Sequence, residues 1–293
     1  MVGIAAVDMS EKNNKSNSPA DNTKSEKKMT KLSRRVFLGS APAAAAAAGI
    51  FGTFFSTAAE AAIKWDETYN VIVIGAGGAG LSAAVSAKEA GAKKVVVLEK
   101  MMFAGGNTIR AGGGFNAAIK ADYEKAGITD SPKLHAEQTL AAGDGRGDPV
   151  LVHQLTEKAP ESVQWLKDHG VKFQDHIYQI YGGLYKRARN PIGPRGGAYI
   201  KALLEVCKKE DIPILYNTRV VEIIREHQLS GRVLGVKVEQ KGGKTLYLRA
   251  TNAVVAAAGG FAANDRLTAI SDPRMGQLGT TNHPGATGDV LTD

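Results

Sequence analysis

The sequence predicts an α/β fold, and three observations carry that expectation. The first is VIVIGAGGAGLSAAVSAKEAGAKKVVVLEK, residues 71–100. Its two short apolar runs, Val71–Ile74 and Val95–Leu98, flank a glycine-rich turn and an alanine-rich segment ending at Gly91, the pattern of strand, helix and strand. The second is the set IPILYN, RVVEIIRE, RVLGVKVEQ and KTLYLRA, which alternates as strands do. The third is a helical stretch over residues 120–170 between these strand-rich parts.

The chain opens on a leader. Residues 10–30 are rich in Lys, Asn and Ser and too poor in apolar surface to fold alone, so a disordered start is expected. SRRVFLGS, residues 33–40, then precedes an uncharged Ala-rich run through Ala59. Paired Arg34 and Arg35, Phe37 and Leu38, the weakly hydrophobic run and an A-x-A site at Ala59–Ala61 resemble a twin-arginine export signal. The alternative is an uncleaved anchor over Ala44–Ala59, but that segment holds many Ala, Gly and Thr, so no stable membrane span is expected after cleavage. Met29 is a second candidate start. The leader, residues 1–61, implies export to a bacterial periplasm; the folded domain is expected over 69–293.

Within the opening stretch, Gly75, Gly77 and Gly80 stand in GxGxxG spacing. The first permits a tight turn, the second lets a pyrophosphate approach the backbone, and the third lets helix and sheet pack closely. The helix N-terminus, Gly77, Gly78, Ala79 and Gly80, would offer its N–H groups to phosphate. Glu99 follows at the end of the second strand, where a carboxylate can accept both ribose hydroxyls of an adenosine and repel a 2′-phosphate, which disfavours NADP. KMMFAGGNTIRAGGGFNAA, residues 100–118, is a second glycine-rich loop; an NAD domain would proceed to a helix here, whereas a flavin needs a backbone-lined path.

Further along, Asp148 and Pro149 are a helix N-cap and first position, and Pro160 is expected to split Pro149–His169 into two helices. Trp165 and Leu166 read as core anchors. The Gly, Pro and Arg-rich segment 182–200 has no clear period and reads as a loop. Ala198–Lys209 reads as a helix, and AVVAAAGGF as a further buried strand ending at Gly259 and Gly260.

Composition narrows the function classes. Of the net +8, residues 1–60 carry eight Lys/Arg against five Asp/Glu, leaving 29 against 24 spread along the rest, so no nucleic-acid partner is inferred. The single Cys207 excludes an internal disulfide, a Cys-ligated metal centre and a CxxCH haem site on this chain. The six histidines show no ligand spacing, so no metal site is assigned.

LEKMMFAGGNT, AGGGFNAA, the 148–171 helical segment, NTRVVEII, AVVAAAGGFAAN and TNHPGATGD together resemble the flavoprotein subunit family of soluble periplasmic fumarate reductases, the flavocytochrome c group. Its relatives include urocanate reductase, succinate dehydrogenase flavoprotein, L-aspartate oxidase and 3-ketosteroid dehydrogenase. The resemblance implies a Rossmann-like FAD-binding domain of glutathione-reductase type, with a β-meander and a helical insertion. It implies cofactor contacts at Gly75, Gly77, Gly78, Ala79, Gly80, Glu99 and Lys100, and at Gly106, Asn107, Thr108, Gly112, Gly113 and Gly114. Val220 or Val221 would meet adenine, and Ala257, Ala258, Gly259 and Asp289 complete the set. Membrane-bound relatives place a flavin-linked His where Asn107 stands, so non-covalent FAD is expected. A His-Arg-Pro run of the family is Arg189, Asn190 and Pro191 here, and Ala258 replaces its usual Thr.

The implied activity is reduction of an α,β-unsaturated carboxylate, a small dicarboxylate-like substrate, by flavin hydride, with a separate cytochrome c as electron donor. The family's capping domain, proton-donating Arg and carboxylate-clamping His and Arg lie beyond the point where ATGDVLTD ends, so no catalytic residue is named and a truncated form without turnover is expected. Arg187, Arg189 and Arg195 are the substitutes this chain offers. The alternatives are a non-catalytic FAD-binding fragment, an electron-transfer subunit, or a urocanate reductase or 3-ketosteroid dehydrogenase relative.

Overall fold

A computed structural model of the chain describes residues 63–227 and 230–292; the export leader read over 1–61 lies outside the described residues. Strand β1 (Glu67–Ile74) runs through a turn into helix α1 (Gly78–Glu89), and the chain returns as β2 (Val95–Leu98), parallel to β1 with Val71 opposite Val95. Successive side chains of a strand point to opposite faces, so the run VIVI feeds two cores. Val71 and Val73 join Val95 and Val97 beneath Leu81, Ala84 and Val85 of α1. Ile72, Ile74, Val96 and Leu98 pack on the other face against Val220, Val236, Val238 and Leu248. Burial on both faces is why these strands read as unbroken apolar runs.

A 3-10 turn (Gly106–Arg110) and the short β3 (Phe115–Asn116) lead into helices α2 (Lys120–Lys125), α3 (Pro132–Ala142) and α4 (Pro149–Asp168). Ser131 caps α3 by accepting from the Leu134 N–H at 3.0 Å, and Asp148 caps α4 by accepting from Val150 at 2.8 Å and Leu151 at 3.3 Å. The expected break at Pro160 is absent: α4 is one helix of 20 residues with Pro160 inside it. Proline deletes one backbone donor and crowds the preceding turn, but Ala159, Val163 and Leu166 are buried on both sides of that point and hold the two halves together.

Segment 182–200 is not a plain loop. It contains β5 (Lys186–Arg189), paired antiparallel with β3 and with β4 (Tyr178–Gln179), and its end opens α5 (Gly196–Lys209). No apolar alternation marks β5 because two of its buried side chains are arginines. Arg187 forks onto Asp130 with bonds of 2.9 and 2.7 Å, and Arg189 reaches Asp122 at 2.6 Å and the Ala117 carbonyl at 2.9 Å. These charges are neutralised in place, which is the condition for burying them.

Strand β6 (Ile214–Leu215) pairs parallel with β2, and β7 (Thr218–His227), β8 (Ser230–Gln240) and β9 (Thr245–Ala256) follow as an antiparallel meander. The large sheet runs β6-β2-β1-β9-β8-β7. KTLYLRA and AVVA, read as separate strands, form the single β9, because β1 pairs in parallel along its whole length from Leu248 to Ala256. Pairing with β8 ends at Arg249. Beyond it Val254 and Val255 are half-buried and Ala253 is exposed, so the second half of β9 is less covered than expected. The remaining described elements are α6 (Asp265–Ser271), a 3-10 turn (Pro273–Gln277) and α7 (Asp289–Thr292). Among the described residues no helix is long and apolar enough to cross a membrane.

Candidate functional site

A cleft of about 180 Å³ opens where β1, β2 and β9 end. Gly75 leaves β1 with φ of 102°, and a Cβ there would stand 2.5 Å from the Ala257 carbonyl oxygen. Only glycine fits such a conformation in so little room. At Gly80 a Cβ would lie 1.8 Å from the Gly75 carbonyl oxygen, so α1 seats directly on the turn. Gly77 differs: a Cβ there would meet only the Gly105 carbonyl oxygen, at 3.9 Å, and the free space before it belongs to the cleft. Gly78 and Ala79 line the same wall at the N-terminus of α1, where aligned N–H dipoles favour an anion. Thr108 Oγ1 accepts from the Gly78 N–H at 3.1 Å, which leaves the hydroxyl proton for another acceptor.

Glu99 closes the floor. It is 8% exposed; Oε2 accepts from the Ala76 N–H at 2.8 Å and Oε1 from the Met101 N–H at 2.9 Å. Its backbone bonds Leu215 on β6 and Thr218 on β7, so the carboxylate is fixed from both sides. A carboxylate has about four lone-pair sites; the two bonds above leave acceptor capacity on each oxygen. A fixed acid, an open glycine backbone and a helix N-terminus around one cleft are the set that the adenosine and pyrophosphate of a dinucleotide require, so the residues present fit that group.

Residues 281–290 form the facing wall, through His283, Gly285, Ala286, Asp289 and Val290. Lys100 Nζ meets Asp289 Oδ2 at 3.0 Å, Arg219 Nε stands 3.3 Å from the same oxygen, and the Thr287 hydroxyl bonds Oδ1. Burial alone would raise the Asp289 carboxyl, but the bonds from Thr287 and Lys100 and the charges of Lys100 and Arg219 outweigh it and hold it below its usual value. Asn107 spends its carboxamide on the same segment: Nδ2 donates to Asn282 Oδ1 at 2.8 Å and Oδ1 accepts from the His283 N–H at 2.6 Å. His283 Nδ1 accepts from the Gly285 N–H at 3.0 Å, which places the ring proton on Nε2, a buried atom with no partner among the described residues.

The structure gathers Gly75, Gly77, Gly78, Ala79, Glu99, Lys100, Gly106, Asn107, Thr108, Val220, Ala257, Ala258, Gly259 and Asp289 around this cleft. Of the expected residues, Gly80, Gly112, Gly113, Gly114 and Val221 do not line it. Gly113 instead packs under α5: its carbonyl accepts from the Tyr199 hydroxyl at 2.7 Å, and a Cβ would stand 2.8 Å from the Arg195 carbonyl carbon. Val220 and Val221 differ because neighbours on a strand face opposite ways. Sequence reasoning missed Met101, Thr218, Arg219, His283 and Gly285. The first three are neighbours in sequence of Lys100 and Val220, and that adjacency was the available signal.

The sequence profile of the FAD-binding-domain family matches residues 70–292. The chain is 38% identical over 227 residues to a fumarate reductase (cytochrome) of Shewanella frigidimarina, covering 77% of this chain and 39% of that one. It is 32% identical over 268 residues to an acrylate reductase flavoprotein subunit of Shewanella woodyi, covering 89% and 53%. A solved structure, the open conformation of a flavocytochrome c3 fumarate reductase, superposes with a TM-score of 0.73 at 31% identity, covering 83% of this chain and 42% of that one. The chain therefore spans about two-fifths to a half of the length of these relatives.

Proposed function

Since the chain belongs to the FAD-binding-domain family, and is a fumarate-reductase-like flavoprotein with the glutathione-reductase-type fold, we propose that its cleft serves the reduction of a small α,β-unsaturated carboxylate. FAD supplies the hydride when bound. The residues of this chain bind and orient it: Glu99 accepts from the ribose, the N-terminus of α1 and the Thr108 hydroxyl meet the pyrophosphate, and the backbone at Gly106 continues the path. Gly112, Gly113 and Gly114 would border that path from outside the cleft, and Val220 takes the adenine side. A carboxamide at position 107 offers no nucleophile for a flavin linkage, so the cofactor is held non-covalently. The observation that carries the cofactor reading is the Glu99 carboxylate, fixed by two N–H groups beside an open glycine turn; the substrate class rests on the likeness to fumarate and acrylate reductases.

Arg187 is committed to the buried Asp130 and Arg189 to the part-exposed Asp122, so neither is assigned to substrate. A separate cytochrome c is the proposed electron donor, by likeness to the fumarate reductase (cytochrome) of Shewanella frigidimarina; residues 1–293 hold one cysteine, the buried Cys207, and no CxxCH. A leader that resembles a twin-arginine signal would send the mature protein to the periplasm; Arg34→Lys with Arg35→Lys should leave the precursor in the cytoplasm, and normal export of that variant would contradict the route.

Two measurements test the cofactor and the substrate apart. Acid treatment of the purified protein should release all the FAD, and flavin that stays on the polypeptide contradicts the non-covalent reading. The flavin-loaded protein, isolated at its natural length from the cells that make it, should reoxidise reduced viologen with fumarate or acrylate as acceptor, whereas residues 1–293 by themselves should bind FAD without turnover. Failure with both would overturn the substrate class and leave FAD binding standing.

A further inference from the structure

Residues 281–288 have no regular helix or strand, yet they wall the cleft. They are held by polar bonds at two ends, with His283 and Ala286 buried between and the Ala263 N–H donating to the Ala286 carbonyl at 2.9 Å. At one end lie the two Asn107 bonds, to Asn282 and to the His283 N–H, with Arg110 Nη1 donating to the Thr281 carbonyl at 3.2 Å. At the other, Lys100 and Arg219 meet Asp289 across the cleft, and Val290 packs on the sheet core. Between them, Asn264 Nδ2 donates to the Thr287 carbonyl at 2.9 Å. The segment is thus a strap fastened across the dinucleotide cleft.

The two ends differ in strength. The Asp289 end combines two cations, a hydroxyl and apolar packing. The Asn107 end has one neutral carboxamide, its donor and acceptor both spent on the strap, beside an exposed Arg110 bond and the edge contact of Phe103 with the His283 ring. A charge-assisted hydrogen bond is about twice as strong as a neutral one, and the Asp289 end holds two cations, the part-buried Lys100 and the more exposed Arg219, so the strap opens first where Asn107 holds it.

We propose that Asn107 is a positioning residue, the clasp of the strap 281–290, and that release of this clasp is the step that sets the rate of FAD entry and departure. The proposal rests on the FAD reading of the cleft. It gives Asn107 a task that a side chain serving only as a flavin contact would not have, because its carboxamide oxygen holds the His283 amide.

The test uses the full chain, with Asn107→Ala and Asn107→Asp. Amide hydrogen exchange without FAD should rise about tenfold at His283 in the Ala variant, while Ile72 and Val255 in the sheet stay protected. The Asp variant keeps an acceptor for the His283 N–H and should retain most of that protection while losing the Asn282 bond. With FAD added, its dissociation rate should rise about tenfold in Asn107→Ala and less in Asn107→Asp. Unchanged exchange at His283 in both variants overturns the clasp; faster exchange with an unchanged FAD dissociation rate overturns its control of cofactor exchange. Should the Ala variant lose protection in the sheet as well, the Asp variant decides by the same criteria. If wild type does not bind FAD at all, the cofactor reading fails, and the clasp is judged on the His283 exchange alone.

Discussion

Glu99 and Gly75 show how much a single position controls. Glu99→Ala removes an acceptor for ribose hydroxyls and should weaken FAD binding by on the order of 1.5–3 kcal/mol, read by flavin titration; unchanged retention would count against its assignment. Gly75→Ala forces a Cβ against the Ala257 carbonyl at φ of 102°, so it should lower the urea midpoint and abolish FAD binding together. Cys207 is 1% exposed, and burial pushes its thiol up to about 11. It should resist thiol reagents at pH 8 in the native protein and react fully in denaturant. The turn glycines were legible in the sequence because their constraint is local. The partners of Asn107 and Asp289 were not, since His283 lies 176 residues from Asn107 and Lys100 lies 189 residues from Asp289.

At the level of elements, α4 and β5 each departed from local rules for a reason visible in their packing. Proline inside α4 costs the helix a donor, so Pro160→Ala should stabilise the chain by about 1–3 kcal/mol in urea unfolding; no gain would mean that the proline ring packs well enough to offset the missing bond. Strand β5 could not be read from periodicity, because what it buries is charge. Arg187→Met would leave Asp130 buried without its counter-charge, and a loss of about 3–5 kcal/mol is expected, with the small sheet β3-β5-β4 exchanging its amides first. The caps at Ser131 and Asp148, by contrast, were legible, since a cap and the N–H it satisfies lie two or three residues apart.

For the whole molecule, the Asp289 junction ties the last described turn to β2 and β7 and gives the fold an acid dependence. Its carboxyl titrates below the ordinary 3.8 in the folded chain. A depressed folded value contributes stability that is present above the unfolded value and lost as pH falls through the folded one. FAD retention should therefore hold from pH 7 to about 5 and decline below about 4, and Asp289→Asn should lose the part of this decline that belongs to the junction. An identical acid profile in that variant would assign the decline to other carboxylates.

The sequence by itself determined the α/β class, the strand–helix–strand unit, the glycine turn with its acid at Glu99, and the helix caps. Each rests on residues close along the chain or on a period of two or 3.6 that a linear reading can detect. Only the tertiary structure decided that Val220 and not Val221 borders the cleft, that β9 is one strand shared between β1 and β8, and that Arg187 and Arg189 are neutralised inside the fold. It also decided that segment 281–290 walls the cleft opposite the glycine turn, held by Asn107 and Lys100. Those outcomes depend on which distant surfaces meet, and burial and pairing energies between such surfaces leave no periodic trace in the order of the residues.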